Sequence, residues 1–258
     1  EISAILASNI LGEVANIKEL QQISKKHNLK LYFDSADAFL CTDQNKLIGS
    51  FGGAEVFSLH AKKVLTTMEG ACVTTNDDAL AARLRHIRTV YGAGPMVKFA
   101  YTGNGRFSEA QAAMGLLTYD NLEDNIKRNK EFYNLYKKQL SDIAGIKLFE
   151  FSESEKRNYQ IIIMEIDDGF GLSRDALSKI LCAENIEIKT KFHLASDEKN
   201  YFYKYFKKQN YSINNAEKLA ANIFQLPTGS RVTEENILQI CELIKLAGNN
   251  AAQLSTSL

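Results

Sequence analysis

The sequence lacks net charge: 31 lysines and arginines face 31 aspartates and glutamates. Such a balance argues against nucleic acid or an anionic membrane as the main partner. Cysteine is scarce. Cys41, Cys72, Cys182 and Cys241 are scattered without the close spacing of a zinc site or disulfide frame, and they suit reduced thiols in a cytoplasmic protein. No apolar run reaches the roughly 18 residues that a membrane span needs. No charged-then-apolar signal segment opens the chain, and repeats and low-complexity tracts are absent. What remains is globular composition, 45% hydrophobic and 24% charged over 258 residues, which is enough for a large core and one or two domains.

The chemistry is concentrated between Phe57 and Ala71, a loop flanked by two short apolar runs, Ala54 to Ser58 and Ala71 to Thr75, that read as strands. The loop holds Ser58, His60, Lys62, Lys63 and Glu69. Loops on rigid scaffolds are where chemistry tends to sit. A lysine in a partly desolvated pocket can lose its proton and attack a carbonyl to form a Schiff base. On the loop alone, a solvated turn with ordinary surface lysines is the commoner outcome. Upstream, the run Lys30-Leu31-Tyr32-Phe33 ends in Asp34 and passes into small residues. A buried parallel strand delivers a carboxylate to the carboxyl edge of its sheet in this way, and ligands of open α/β sheets bind at that edge. An acid there and a lysine downstream are what a pyridoxal 5′-phosphate (PLP) site needs: the lysine holds the aldehyde, and the acid keeps the pyridine nitrogen protonated.

These stretches resemble the DegT/DnrJ/StrS family of PLP-dependent nucleotide-sugar aminotransferases. The family's Phe-Ser-x-His-x-x-Lys…Glu-Gly-Gly pattern is matched from Phe57 to Ala71, with Ala71 in place of the second glycine. Its acidic strand end is matched by Phe33 to Ala38, and its Asn-x-Arg…Ser-Glu run by Asn104 to Gly115. Asn158-Tyr159-Gln160, Gly171 to Asp175 and Ala183-Glu184-Asn185 are similar to the 4-amino-deoxysugar transaminase branch. The resemblance implies an α/β fold: a fold-type I PLP aminotransferase-like large domain with a mainly parallel sheet, plus a small C-terminal α+β domain. The family's amino-terminal part would precede residue 1, so the large domain is expected to be N-terminally incomplete. The expected boundaries are 1–144, 145–248 and a frayed tail over 249–258.

The resemblance also implies roles. Lys63 is the Schiff-base lysine, Asp34 the partner of the pyridine nitrogen, and Ser58 a hydrogen-bond donor to the cofactor phosphate. His60 is either catalytic or a fixer of the loop. Asn104 would meet the cofactor phosphate from a second subunit, with Arg106 beside it on the substrate side, in a homodimer with shared sites. Asp37 departs from the family, which carries His or Gln there against the cofactor's phenolate. A carboxylate facing a phenolate repels it unless protonated, so Asp37 points away, carries a proton or marks altered chemistry. Lys189 opens a second departure, Lys189 to Leu194, where the branch has an arginine, aromatics and a proline near the substrate mouth. The implied reaction is amino transfer from an amino acid, glutamate being expected, to a keto nucleotide-deoxysugar in sugar or polysaccharide biosynthesis. The alternatives are a non-catalytic relative acting as a dimer subunit or binding partner, and a PLP-dependent sugar dehydratase. The family's dehydratases typically lack the lysine, which Lys63 supplies here.

Elsewhere the pattern is structural. Ile17, Leu20 and Ile23 recur at helical spacing before Lys25-Lys26, giving a strand–helix–strand unit with Ile2 to Leu6 and the Asp34 strand. Thr75 to Asp78 starts a helix whose Arg83, Arg85 and Arg88 read as a solvated basic face. Gly92-Ala93-Gly94-Pro95 breaks the chain, an excursion suited to dimer contacts. Leu122 to Ile143 reads as a long helix. Strands are expected at Ile146 to Phe149, Tyr159 to Ile166 and Ile186 to Ile188. Ser173 should cap a helix through Ala183, and further helices should run over Asn214 to Asn222 and Thr233 to Leu246, the last with a stripe of Ile237, Ile240, Cys241 and Ile244. Tyr201 to Lys208 interleaves aromatics with lysines as single-strand nucleic-acid binders do, but it is short and isolated in a neutral chain. Packing or a sugar nucleotide suits it better.

Overall fold

A computed structural model describes residues 2–89, 103–190 and 214–256. Gly92 to Pro95, Tyr201 to Lys208 and the Lys191–Leu194 part of the second departure lie outside the described residues. The chain divides into two compact units: Glu1–Lys127 with Phe151–Gln160, and Arg128–Glu150 with Ile161–Leu258. The sequence suggests a single cut after residue 144. In the structure Phe151–Gln160 instead belongs with the first unit, held there by Arg157, whose Nη1 donates to Thr42 O (2.8 Å), and by Asn158 and Gln160.

The first unit is α/β. Strand β1 (Ala4–Ser8), helix α1 (Ile17–Lys26) and strand β2 (Lys30–Asp34) form the expected crossover, with β1 and β2 parallel. Asn16 caps α1 by accepting from Glu19 N, and Lys25 and Lys26 sit in its last turn, where the helix dipole favours cations. A hairpin of β3 (Thr42–Asp43) and β4 (Lys46–Leu47) follows. Its two turn residues, Gln44 and Asn45, both have positive φ (50° and 60°), as a type I′ turn requires. Strand β5 (Ala54–Ser58) pairs parallel to β2, and β6 (Ala71–Thr74) pairs antiparallel to β5, so the sheet order is β1-β2-β5-β6.

One face of this sheet is core. Leu31, Phe33 and Phe57 are buried with Ile17, Ile48 and Phe51. Leu6, Val56 and Val73, which alternate with them, are exposed. Helix α2 (Asp78–Ile87) is capped by Asp77 through Leu80 N. Helix α3 (Glu109–Asp120) has a reciprocal capping box between Ser108 and Gln111, yet none of its residues is buried. Helix α4 (Leu122–Leu140) runs from the first unit into the second.

The second unit holds an antiparallel sheet, β7-β8-β9, of Ile146–Leu148, Ile162–Ile166 and Ile223–Leu226. Its α-helices among the described residues are α5 (Arg174–Ala183, capped by Ser173), α6 (Asn214–Asn222), α7 (Glu234–Asn249) and α8 (Ala251–Leu254). The predicted stripe Ile237, Ile240, Cys241 and Ile244 is buried. Three expectations need correction. The strand expected from Tyr159 starts at Ile162, because Tyr159 has φ +51° and breaks the extended run. Ile186 to Ile188 forms no strand, and only Lys189 bridges to Gln225. The tail expected to fray instead forms α8 and buries Ala251.

Candidate active site

Lys63 lies in the loop joining β5 to β6. This loop is closed by Leu59 N donating to Gly70 O (2.9 Å) and Thr67 N donating to Leu59 O (2.9 Å). Gly70 has φ +149°, and a Cβ there would meet Phe107 at 2.5 Å and Thr67 Oγ1 at 2.9 Å, so the turn requires glycine. Ala71 is not among the positive-φ residues and pairs with Ser58, so the missing second glycine costs no strain. Helix α3 braces the loop from outside: Gln111 Nε2 donates to Glu69 O (2.7 Å) and Thr118 Oγ1 to Thr66 O (2.8 Å).

Within the loop Lys63 Nζ meets Asp37 Oδ1 at 2.5 Å, and the two side chains are only 19% and 15% exposed. Asp37 Oδ1 also accepts from Gln160 Nε2 (3.3 Å) and Oδ2 from Leu11 N (3.3 Å). The solvated turn with free surface lysines therefore fits Lys62, which is exposed, and not Lys63. In the described geometry the Asp37 carboxyl group is turned to Lys63. Asp34 ends β2 with its carboxylate exposed, Oδ1 accepting from Ala36 N (3.1 Å). Ser58 ends β5 half-buried; its Oγ accepts from His60 N (3.3 Å), which leaves the hydroxyl proton to donate elsewhere. Asp34 and Ser58 alternate with the core residues Phe33 and Phe57, so both sit on the open face of the sheet.

His60 is fixed in the loop. Its Nδ1 accepts from Lys62 N (3.3 Å) and its Nε2 lies 3.6 Å from Glu69 Oε1. Asn104 and Arg106 are exposed in the segment before α3, where Arg106 Nε donates to Asn104 Oδ1 (3.4 Å). They are not brought to Lys63 by any contact described within the chain. Lys189 is in the second unit, where its carbonyl accepts from Gln225 N (3.0 Å).

Sequence reasoning singled out Asn158 and Gln160 only as part of a motif and missed that they build the setting. Asn158, fully buried, donates through Nδ2 to Asp37 O (2.9 Å) and Phe39 O (3.0 Å). Gln160 donates to Asp37 O (3.1 Å) and accepts from Val64 N (3.0 Å), which ties the Asp37 turn to the Lys63 loop. Beneath the strand ends lies a second buried network. Asn9 Nδ2 donates to Ser35 Oγ (2.9 Å), Ser35 Oγ to Glu55 Oε2 (2.9 Å), and Phe51 N to Glu55 Oε1 (2.6 Å). Burial pushes the Glu55 carboxyl above its ordinary value. The only sequence signal was an acid inside an apolar strand.

The model of the DegT/DnrJ/EryC1/StrS aminotransferase family matches residues 1–245. The chain belongs to that family. Its enzymes are PLP-dependent. The chain is 26% identical over 247 residues to a dTDP-4-amino-4,6-dideoxy-D-glucose transaminase of Shigella dysenteriae, covering 95% of this chain and 66% of the relative. It is 28% identical over 246 residues to a GDP-perosamine synthase of Escherichia coli O157:H7, covering 93% and 64%. The crystal structure of DesI with its TDP-sugar product superposes with a TM-score of 0.88 at 31% identity, over 99% of this chain and 64% of that one. The family member thus spans about two thirds of the length of the relatives it matches. No helix among the described residues is long and apolar enough to cross a membrane.

Proposed function

We propose that this chain carries the amine-bearing site of a PLP-dependent aminotransferase that passes an amino group from an amino acid, expected to be glutamate, to the keto group of a nucleotide-linked deoxysugar. The observation that carries the reading is Lys63: a largely buried amine at a loop between two strands, in one compact unit with a carboxylate and a hydroxyl at strand ends. The donor set fits PLP by its chemistry. Lys63 offers an amine to an aldehyde, Asp34 an exposed carboxylate to a ring nitrogen, and Ser58 a hydroxyl proton to a phosphate. When bound, PLP supplies an electron sink next to the amino group being moved.

The residues divide the remaining work. Lys63 would hold the cofactor through its amine and, once the donor amine has replaced it there, would take and return the proton at the donor's α carbon as general base. Asp34 would keep a proton on the ring nitrogen. His60, whose Nδ1 accepts from Lys62 N, would either take part in catalysis or hold the loop. Asn104 from a second copy would meet the phosphate, while Arg106 and Lys189 would meet the anionic nucleotide sugar through their charge. This reading includes a homodimer, a large and a small domain, and a cytoplasmic setting in sugar or polysaccharide biosynthesis. It is supported by the family membership and by relatives that act, by their names, on dTDP- and GDP-linked sugars.

The test is direct. Incubate the chain with PLP, reduce with borohydride and map the modified peptide. Label concentrated on Lys63, and lost in Lys63→Ala, is the expected result. Label spread over exposed lysines, or unchanged in Lys63→Ala, rejects the assignment.

A further inference from the structure

The Asp37–Lys63 pair is built, not incidental. Asp37 is placed from four directions: Lys63 Nζ on Oδ1, Gln160 Nε2 on Oδ1 and on its carbonyl, Leu11 N on Oδ2, and Asn158 Nδ2 on its carbonyl. Gln160 spends its other amide atom on Val64 N, the residue after the lysine. One side chain therefore fixes both the carboxylate and the backbone that carries the amine. Both members of the pair are more than four-fifths shielded from solvent, so salt and water screen it far less than a surface pair.

We propose that Asp37 is a positioning residue that restrains Lys63, with Gln160 aiming its carboxylate, so that the amine must leave Asp37 before it can attack a carbonyl. This deepens the reading of Lys63 as the reactive amine and rests on it. An amine attacks through its lone pair, and the Asp37 carboxylate at hydrogen-bond distance holds the Lys63 nitrogen turned toward itself and away from any other partner. The restraint suits a site that must bind its carbonyl partner before reacting. It keeps the lysine from condensing with free aldehydes in passing.

The test uses the full chain without cofactor. Acetylate with limiting acetic anhydride at fixed pH and quantify Lys63 against exposed Lys62 in the same molecules by peptide mass spectrometry. Asp37→Asn preserves shape and is expected to raise the Lys63:Lys62 ratio about tenfold. Asp37→Glu restores the charge and should stay within about threefold of the unsubstituted chain. Gln160→Leu, which keeps the pair but removes its guide, should raise the ratio about threefold. An Asp37→Asn ratio within twofold of the original, or equal rises in Asp37→Asn and Asp37→Glu, overturns the proposal. Should Asp37→Asn not fold, Gln160→Leu decides alone, with no rise counting against it. Because acetylation needs no PLP, the outcome separates from the functional reading: a borohydride-fixed label on Lys63 beside an indifferent Asp37→Asn would reject the restraint and leave the function intact.

Discussion

Replacing Asn158 with alanine should destabilise the first unit more than most single substitutions. The side chain is fully buried, and its Nδ2 donates to the carbonyls of Asp37 and Phe39 while its Oδ1 accepts from Gln160 N at 3.2 Å. Truncation removes all three partners at once. Each stranded buried group costs about 1–3 kcal/mol. Taking the low end for each, because carbonyls are more tolerant than amides and a water can enter the space left, gives a loss of about 3 kcal/mol. Urea unfolding followed by far-ultraviolet circular dichroism, with unchanged slope, measures it. Asn158→Asp is the sharper companion. It keeps the acceptor for Gln160 N but turns an oxygen toward two carbonyl oxygens, so it should be at least as damaging as alanine at neutral pH. A loss below about 1 kcal/mol for alanine, or an aspartate variant as stable as the original chain, would refute the view that this side chain holds the Asp37 turn in place.

Other outcomes follow from single features. Burial raises the Glu55 carboxyl above its ordinary 4.5, so the folded chain keeps a proton there that the unfolded chain releases. Its contribution is present at low pH and is lost as pH rises through the window above 4.5; Glu55→Gln should flatten that part of a stability–pH profile. Gly145→Ala should cost about 4 kcal/mol or more, because φ is +73° and the new Cβ would lie 2.0 Å from Phe170 N; thermal unfolding reads it. Tyr136→Phe removes the hydroxyl that donates to Pro227 O (3.0 Å) and should cost about 1 kcal/mol in the same assay. A thiol reagent should modify exposed Cys72 and Cys182 in the native chain and reach Cys41 and Cys241 only on unfolding, since burial pushes those two thiols to about 11 and about 12.

The strands that carry Asp34 and Ser58 were legible because an apolar run ending in an acid or hydroxyl has few other places to go in a parallel sheet. The α5 start was legible because Ser173 is a local capping signal, and α1 because Ile17, Leu20 and Ile23 recur at helical spacing before Lys25 and Lys26. Local pattern could not give the antiparallel direction of β6, since the loop between β5 and β6 is long enough for either sense. Nor could it show that Phe151–Gln160 returns to the first unit. That depends on Arg157, Asn158 and Gln160 meeting backbone groups over a hundred residues earlier, and polar side chains in a loop look the same whether solvated or buried. Asp37 is the instructive case. Its chemistry was readable as a mismatch with a phenolate, but its partner Lys63 was apparent only in three dimensions.

The braces on the Asp37 turn have a consequence in time. Their donors lie 121 and 123 residues downstream of Asp37. A growing polypeptide emits Lys63 and its loop well before Gln160 exists. At roughly 5–20 residues per second the interval is about 5 to 20 seconds. Throughout it the Asp37 turn lacks these two braces, and the closure that finishes the amine's surroundings comes after most of the chain has been made.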